Sequence, residues 1–152
     1  MPAKSPAPAV AQVPDPLRAY SFTLNIQGVV QGHFTAVSGL QIDIRPIKYR
    51  EAGNAQIVHH LPGLVDYGLV ELRYGLTTSR EMFDWLMTGV RGAVERKNVS
   101  IIALDNAGVN HVTQWDLSNA WVSRWSGAPM DALSSQVAVE SMALAFDGLA
   151  RV

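Results

Sequence analysis

The chain of 152 residues carries no cysteine, twelve Lys and Arg against thirteen Asp and Glu, and a formal net charge of −1. That length fits one domain and lets roughly 70% of the unfolded chain's surface be buried, so a core needs neither disulfide nor metal. The composition excludes a disulfide scaffold, a cysteine-ligated metal site, a thiol nucleophile and nucleic-acid binding by bulk electrostatics, and it fits a reducing compartment.

Charged residues make up 16% of the chain and apolar residues 48%, against about 25% charged in an average soluble domain. Composition leaves two readings: a slightly apolar monomer, or a surface partly buried against other protein chains. No window reaches the ~18 consecutive apolar residues of a membrane helix, and Met1 to Pro16 lacks the apolar core of a signal peptide. Five of the eight prolines lie in those first sixteen residues, which predicts an extended, solvated arm preceding a domain of residues 17–152.

From Leu17 the pattern becomes alternation, with Tyr20, Phe22, Leu24 and Ile26 on one face and Ser21, Thr23 and Asn25 on the other, a half-buried strand. Turn chemistry from Gln27 to Gly32 leads into an extended run from His33 to Ile44, broken at Ser38-Gly39, so a hairpin with a bulge at Gly39 is predicted. Arg45 to Asp66, punctuated by Pro46, Gly53, Pro62 and Gly63, shows no clear periodicity over its length. Connections that long are uncommon in compact domains and tend to be functional or ordered by a partner. A mobile surface loop is the other reading, although Tyr49, Ile57, Val58 and Leu61 are more apolar than a free loop needs.

Leu69 to Gly75 predicts a short strand, with Val70, Leu72 and Tyr74 alternating against Glu71 and Arg73. A single helix follows, with Ser79 as its N-cap, Glu81 and Asp84 in its first turn, Met82, Trp85, Leu86, Gly89 and Val90 on one apolar face, and an exit at Gly92. Strands are then predicted at Val99 to Leu104, Val112 to Trp125 and Val137 to Leu149, with a turn at Asp105 to Gly108. The sum is a mainly β, antiparallel sandwich or barrel of about six strands with one covering helix and a long hairpin-like loop.

Catalytic patterns fail on spacing. Ser38 lacks the glycine two places earlier that a nucleophile elbow requires. His59 and His60 would point to opposite faces of extended chain, with only Asp66 near, so no metal site is expected. Gly28 and Gly32 lie between strands rather than at the start of a helix, and no dinucleotide or other cofactor is implied. Nothing pairs Asp43, Glu71 or Asp116 as acid and base. Asn98-Val99-Ser100 matches a glycosylation acceptor by a pattern common by chance. Trp115, Trp121 and Trp125, at even spacing, are expected in the core or at subunit contacts rather than on a ligand. Enzyme function is disfavoured.

Several stretches together resemble the tail tube proteins of contractile phages and of phage-like extracellular contractile injection systems. They are Tyr20-Ser21-Phe22; Gly32 to Leu40; Tyr49-Arg50-Glu51-Ala52-Gly53 leading to His60-Leu61-Pro62-Gly63; Tyr67-Gly68 with Leu72 to Gly75; Phe83-Asp84-Trp85; Asn98 to Ile101; and Trp115, Asn119 to Trp121, Arg124 to Gly127 and Val139-Glu140. The resemblance runs in order over residues 17 to 150. It implies a structural protein whose six-fold rings share an inner β-barrel and stack into a hollow tube inside a contractile sheath. The implied partners are further copies of the chain, a sheath protein, baseplate, spike and tube-terminating proteins, and effector cargo in the lumen, with assembly in the cytoplasm. It also marks Tyr49, Arg50, Glu51, Gly53, His60, Leu61, Pro62 and Gly63 as an inter-subunit loop.

Elementary geometry agrees, because six short strands close only a narrow, filled barrel, whereas an aqueous bore needs ~16 strands or more. Thr23, Asn25, Glu71, Arg73, Asp116 and Ser118 are candidate lumen-facing residues, and alternation leaves the inward face open. The long Pro/Ala-rich arm leaves open a main tube subunit or a paralogue near the baseplate. The alternative functions are a ring-forming carrier of a type six secretion system and a small-ligand β-barrel.

Overall fold

A computed structural model of the chain describes residues 22–27, 29–31, 34–53, 56–76 and 78–152. The predicted arm from Met1 to Pro16, the strand start at Tyr20, and Gly28, Gly32 and His33 lie outside the described residues.

The strands are β1 (Phe22–Ile26), β2 (Val29–Gln31), β3 (Phe34–Ser38), β4 (Ile42–Tyr49), β5 (His59–Tyr67), β6 (Val70–Gly75), β7 (Lys97–Leu104), β8 (His111–Ser126), β9 (Val139–Ala145) and β10 (Gly148–Arg151), with a helix α1 (Glu81–Val90) between β6 and β7. Each of the six predicted strand regions contains a strand. The larger number arises because the run from His33 to Ile44 breaks at Gly39 into β3 and β4, the final region turns at Asp147 into β9 and β10, β5 lies in the stretch from Arg45 to Asp66, and β2 lies in the predicted turn. The predicted hairpin is corrected accordingly: β1 turns back onto β2, while β3 pairs with β6. All pairings are antiparallel, in the order β2-β1-β7-β8-β9-β6-β3, with β10 also on β8 and β4-β5 forming a sheet of their own.

One core holds these strands together. Leu24, Ile26, Val99, Ile101 and Leu117 from β1, β7 and the first half of β8 join Val70, Leu72, Tyr74, Val122, Met142 and Leu144 from β6, β9 and the second half of β8 in one buried cluster. Each such side chain, fully removed from water, is worth about 1.5–3 kcal/mol. Since the two halves of the sheet bury alternate faces against the same core, their other faces look outward in different directions.

The long strand β8 belongs to both halves. It pairs with β7 and β10 up to Ala120 and with β9 from Trp121 onward. A bulge marks the crossing: Lys97 faces Ala120 but Val99 faces Leu117. Asn119 adopts a φ of 53° there, and its N–H donates to Asn98 Oδ1 at 3.2 Å. A second bulge at Ser123 separates Val122, opposite Leu144, from Arg124, opposite Ala143.

α1 begins one residue later than predicted. Its N-cap is Arg80, already helical at φ −99° and ψ −4°, and makes no side-chain capping bond, so Ser79 stands just outside it. The exit at Gly92 is as expected: with φ +82°, its N–H bonds Gly89 O at 3.1 Å while that of Ala93 bonds Thr88 O at 3.0 Å, a Schellman closure. Met82, Trp85 and Leu86 pack on the core, whereas Val90, predicted on the apolar face, is 67% exposed at the helix end. Trp85 Nε1 donates to Glu95 O at 2.8 Å.

Candidate assembly surfaces

The segment from Arg45 to Asp66 is not an irregular loop. Ile42 to Tyr49 pairs with His59 to Tyr67, Ile42 opposite Tyr67 and Tyr49 opposite His59, to make a two-stranded hairpin about 25 Å long at ~3.3 Å per residue. Periodicity was hidden because Pro46 and Pro62 face each other and β5 carries an extra residue between Pro62 and Val65. Gly63 sits at that bulge, where a Cβ would collide with the Arg45 carbonyl.

The neck of the hairpin is built from glycine. Gly39, at φ +87°, passes so close to the Leu69 carbonyl that no Cβ fits. Across from it the Gly68 N–H donates to Gln41 O at 3.0 Å. Below the neck β3 pairs with β6, above it β4 pairs with β5, so the hairpin prolongs the β3-β6 pair beyond the sandwich.

Among the described residues almost nothing covers it. Ile42, Ile44, Ile47, Tyr49, Ile57, Leu61, Leu64 and Val65 are all 47% exposed or more. A bare two-stranded hairpin is marginal in water, and contiguous exposed apolar surface marks an interface. Tyr49 and Leu61, with Ile47 between them, fall near the tip. Arg50, Glu51 and Gly53 lie in the exposed turn, and His60 pairs across to Lys48, Pro62 to Pro46. An ion pair between Arg45 and Asp66 at 3.2 Å braces the hairpin.

A second surface comes from the half-sheet β3-β6-β9-β8. Among the described residues, neither the outer edge of β3 nor that of Trp121 to Ser126 has a strand partner. Two free edges on one sheet invite continuation from copy to copy. Its outward face shows two rows, Ser38, Glu71, Ala143, Arg124 and Ala36, Arg73, Ser141, Ser126. Glu71 carries both guanidiniums, Arg73 at 3.1 Å and Arg124 at 4.0 Å, and the latter reaches across because Ala143 between them is small.

The six lumen candidates therefore divide. Glu71 and Arg73 share this face. Thr23, Asn25, Asp116 and Ser118 lie on the other half-sheet's outward face, where Asp116 accepts from Ser100 Oγ and Gln114 Nε2, each at 2.7 Å. No single wall holds all six.

Strict alternation also misplaces Trp121. Trp115, Trp121 and Trp125 have the same parity, yet Trp115 and Trp125 pack on the core while Trp121 sits opposite Ala145, on the outward side. Each bulge in β8 reverses the parity, and a bulge residue carries little sequence signature beyond the Asn119 itself.

Other features offer no chemistry. An open cleft of about 480 Å³ between α1 and the β1-β7 edge is lined by Ile26, Trp85, Thr88, Arg91, Glu95 and Lys97 among others. Lys97 spans it, 5.5 Å above the Trp85 ring and 3.9 Å from Glu95. Among the described residues the space between the half-sheets is filled by side chains. Among the described residues no three of His, Asp and Glu gather as a metal site, and no helix is long and apolar enough to cross a membrane.

A sandwich that, among the described residues, leaves sheet edges and an apolar hairpin uncovered defines a subunit of a larger assembly. The chain belongs to the T4-like virus tail tube protein gp19 family, whose model matches residues 18–150, and its function is that of a structural tail tube protein. It is similar to a chain in the cryo-EM structure of the sheath-tube complex of PVC, an extracellular contractile injection system, in its extended state, with 28% identity, 90% of this chain and 91% of that chain covered, and a TM-score of 0.81. A chain in the structure of the anti-feeding prophage cap, the AFP tube terminating cap, is 25% identical over 94% of this chain and 95% of its own, with a TM-score of 0.85. Hcp1 from Flavobacterium johnsoniae shares 14% identity over 87% of this chain and 94% of its own at a TM-score of 0.56, a likeness of fold alone. No curated protein sequence matches the chain.

Proposed function

We propose that six copies form a ring in which β3 of one copy pairs with the Trp121 to Ser126 edge of the next. The observation that carries this reading is the four-stranded half-sheet in which, among the described residues, both edges lack a partner strand. Such pairing is head-to-tail and closes when the rotation does. Four strands from each of six copies make a barrel of about 24, above the ~16 that an aqueous bore needs. The outward face of that half-sheet then lines the bore, which keeps Glu71 and Arg73 as lumen residues, adds Arg124, and moves Thr23, Asn25, Asp116 and Ser118 to the outer wall.

Barrel strands run along the axis with a tilt. A hairpin prolonging β3 and β6 therefore reaches toward the neighbouring ring and buries Tyr49, Ile47 and Leu61 there, with Arg50 and Glu51 as pairing groups. Gly53, His60, Pro62 and Gly63 shape its backbone. The stacked rings form the inner tube of a contractile injector, assembled in the cytoplasm, with sheath, baseplate, spike and terminator proteins as partners and cargo in the bore. The chain acts structurally, without catalysis of its own, and residues 1–16 form an arm outside the tube domain.

Negative-stain microscopy of the purified full chain tests this reading. Rings or tubes of uniform bore are expected; particles that remain single at high concentration, alone and with sheath and baseplate proteins present, overturn it.

A further inference from the structure

We infer that the bore accepts acidic, extended polypeptide, drawn in by a net positive wall. This inference rests on the assignment of the β3-β6-β9-β8 face to the bore. Two guanidiniums and one carboxylate stand on that face: Arg73 and Arg124 flank Glu71 at 3.1 and 4.0 Å. The arginine side chains are 58% and 64% exposed and Glu71 31%, so the carboxylate is sheltered and the excess positive charge meets solvent. Among the described residues the rest of both rows is Ser38, Ala36, Ala143, Ser141 and Ser126, small or hydroxylic and uncharged.

The opposite outward face has the reverse sign. Asp116, held by Ser100 and Gln114, is the charge in the rows Thr23, Ile102, Gln114 and Asn25, Ser100, Asp116, Ala150.

A ring repeats the excess once per copy, and a narrow channel with low-dielectric walls focuses such a field on whatever occupies it. The charge density is low. Dense polyphosphate would meet a carboxylate for every two guanidiniums, which disfavours nucleic acid; a polypeptide with scattered Asp and Glu finds spaced, exposed partners. Exposed ion pairs are individually weak, so cargo can be held by many and still slide past each.

The test uses tubes assembled from the full chain with fluorescent polyglutamate, polylysine or a single-stranded oligonucleotide, present during assembly or added to finished tubes. Retention specific to co-assembly reads the lumen. Polyglutamate is expected to be retained about tenfold over polylysine at low salt, and the advantage to fade at high salt. Glu71→Gln raises it and Arg73→Gln lowers it, with the Arg73→Gln and Arg124→Gln double variant lowest. Asp116→Asn leaves it unchanged. Arg73 is on β6, away from both free edges, so its variant stays informative if Arg124→Gln impairs assembly. Tubes that retain polylysine equally, that retain the oligonucleotide better than polyglutamate, or that respond to Asp116→Asn as to Arg73→Gln overturn this inference alone. Failure of the unaltered chain to form tubes, both alone and with sheath and baseplate proteins present, overturns the tube reading and this inference with it.

Discussion

The phenol of Tyr74 is 5% exposed, edge-on to Phe34 with ring centroids 5.7 Å apart. Burial, ahead of the neighbouring Glu140, pushes its pKa up to about 12 against a partly opposing Trp125 indole. Desolvation disfavours the charged phenolate, so the folded state keeps this proton to a higher pH than the unfolded chain. The stability it contributes is fully present below the unfolded value near 10 and is lost as pH rises through about 12. Alkaline titration followed by tyrosinate absorbance should show a late step that is absent in Tyr74→Phe, whose unfolding free energy should also fall less steeply over that range. A titration with no late step, or with one that survives in Tyr74→Phe, would refute the burial. This residue was legible from the alternation of Val70, Leu72 and Tyr74. The direction of Trp121 was not, because the one-residue bulge at Asn119 turns a position that shares the core parity of Trp115 outward.

Among the elements, the β4-β5 hairpin separates folding from assembly. Gly39→Ala places a side chain at φ +87° against the Leu69 carbonyl, a conformation costing about 1–2 kcal/mol before any clash. We expect a loss of a few kcal/mol in urea unfolding of the monomer, since β3 and β6 must move to make room. Tyr49→Ala touches no core residue and should leave monomer stability within about 0.5 kcal/mol. It removes an aromatic anchor worth about 2 kcal/mol or more at each inter-ring contact, so tubes should shorten or vanish by microscopy. Normal tubes from Tyr49→Ala would free the hairpin of its inter-ring role. The apolar content of this segment was visible from sequence, but its strand character was not: opposed prolines and a bulge erase the two-residue period that identifies strands.

For the whole molecule, free edges and an uncovered apolar hairpin mean that part of the native state's stabilisation comes from other copies. Association stabilises the folded form by mass action. The melting temperature of the full chain should therefore rise with protein concentration, and Tyr49→Ala, which keeps the edge pairing within a ring but loses the contact between rings, should show a shallower rise. A wild-type melting temperature independent of concentration would show that the monomer is complete in itself.

Class and composition followed from local chemistry: alternation made the strands readable, breakers set their limits, a single 3.6-residue stripe marked the helix, and sparse charge pointed to contact with other chains. Which outward face bears which charge, and which half-sheet ends in open edges, depended on pairings such as Glu71 with Ala143 and Val122 with Leu144, far apart along the chain. Side-chain direction in a sheet is set by register, and register is a property of two strands together. Bulges at Asn119 and Ser123 shift that register without announcing themselves in the residues, so the two outward faces became recognisable once β8 was folded between its neighbours.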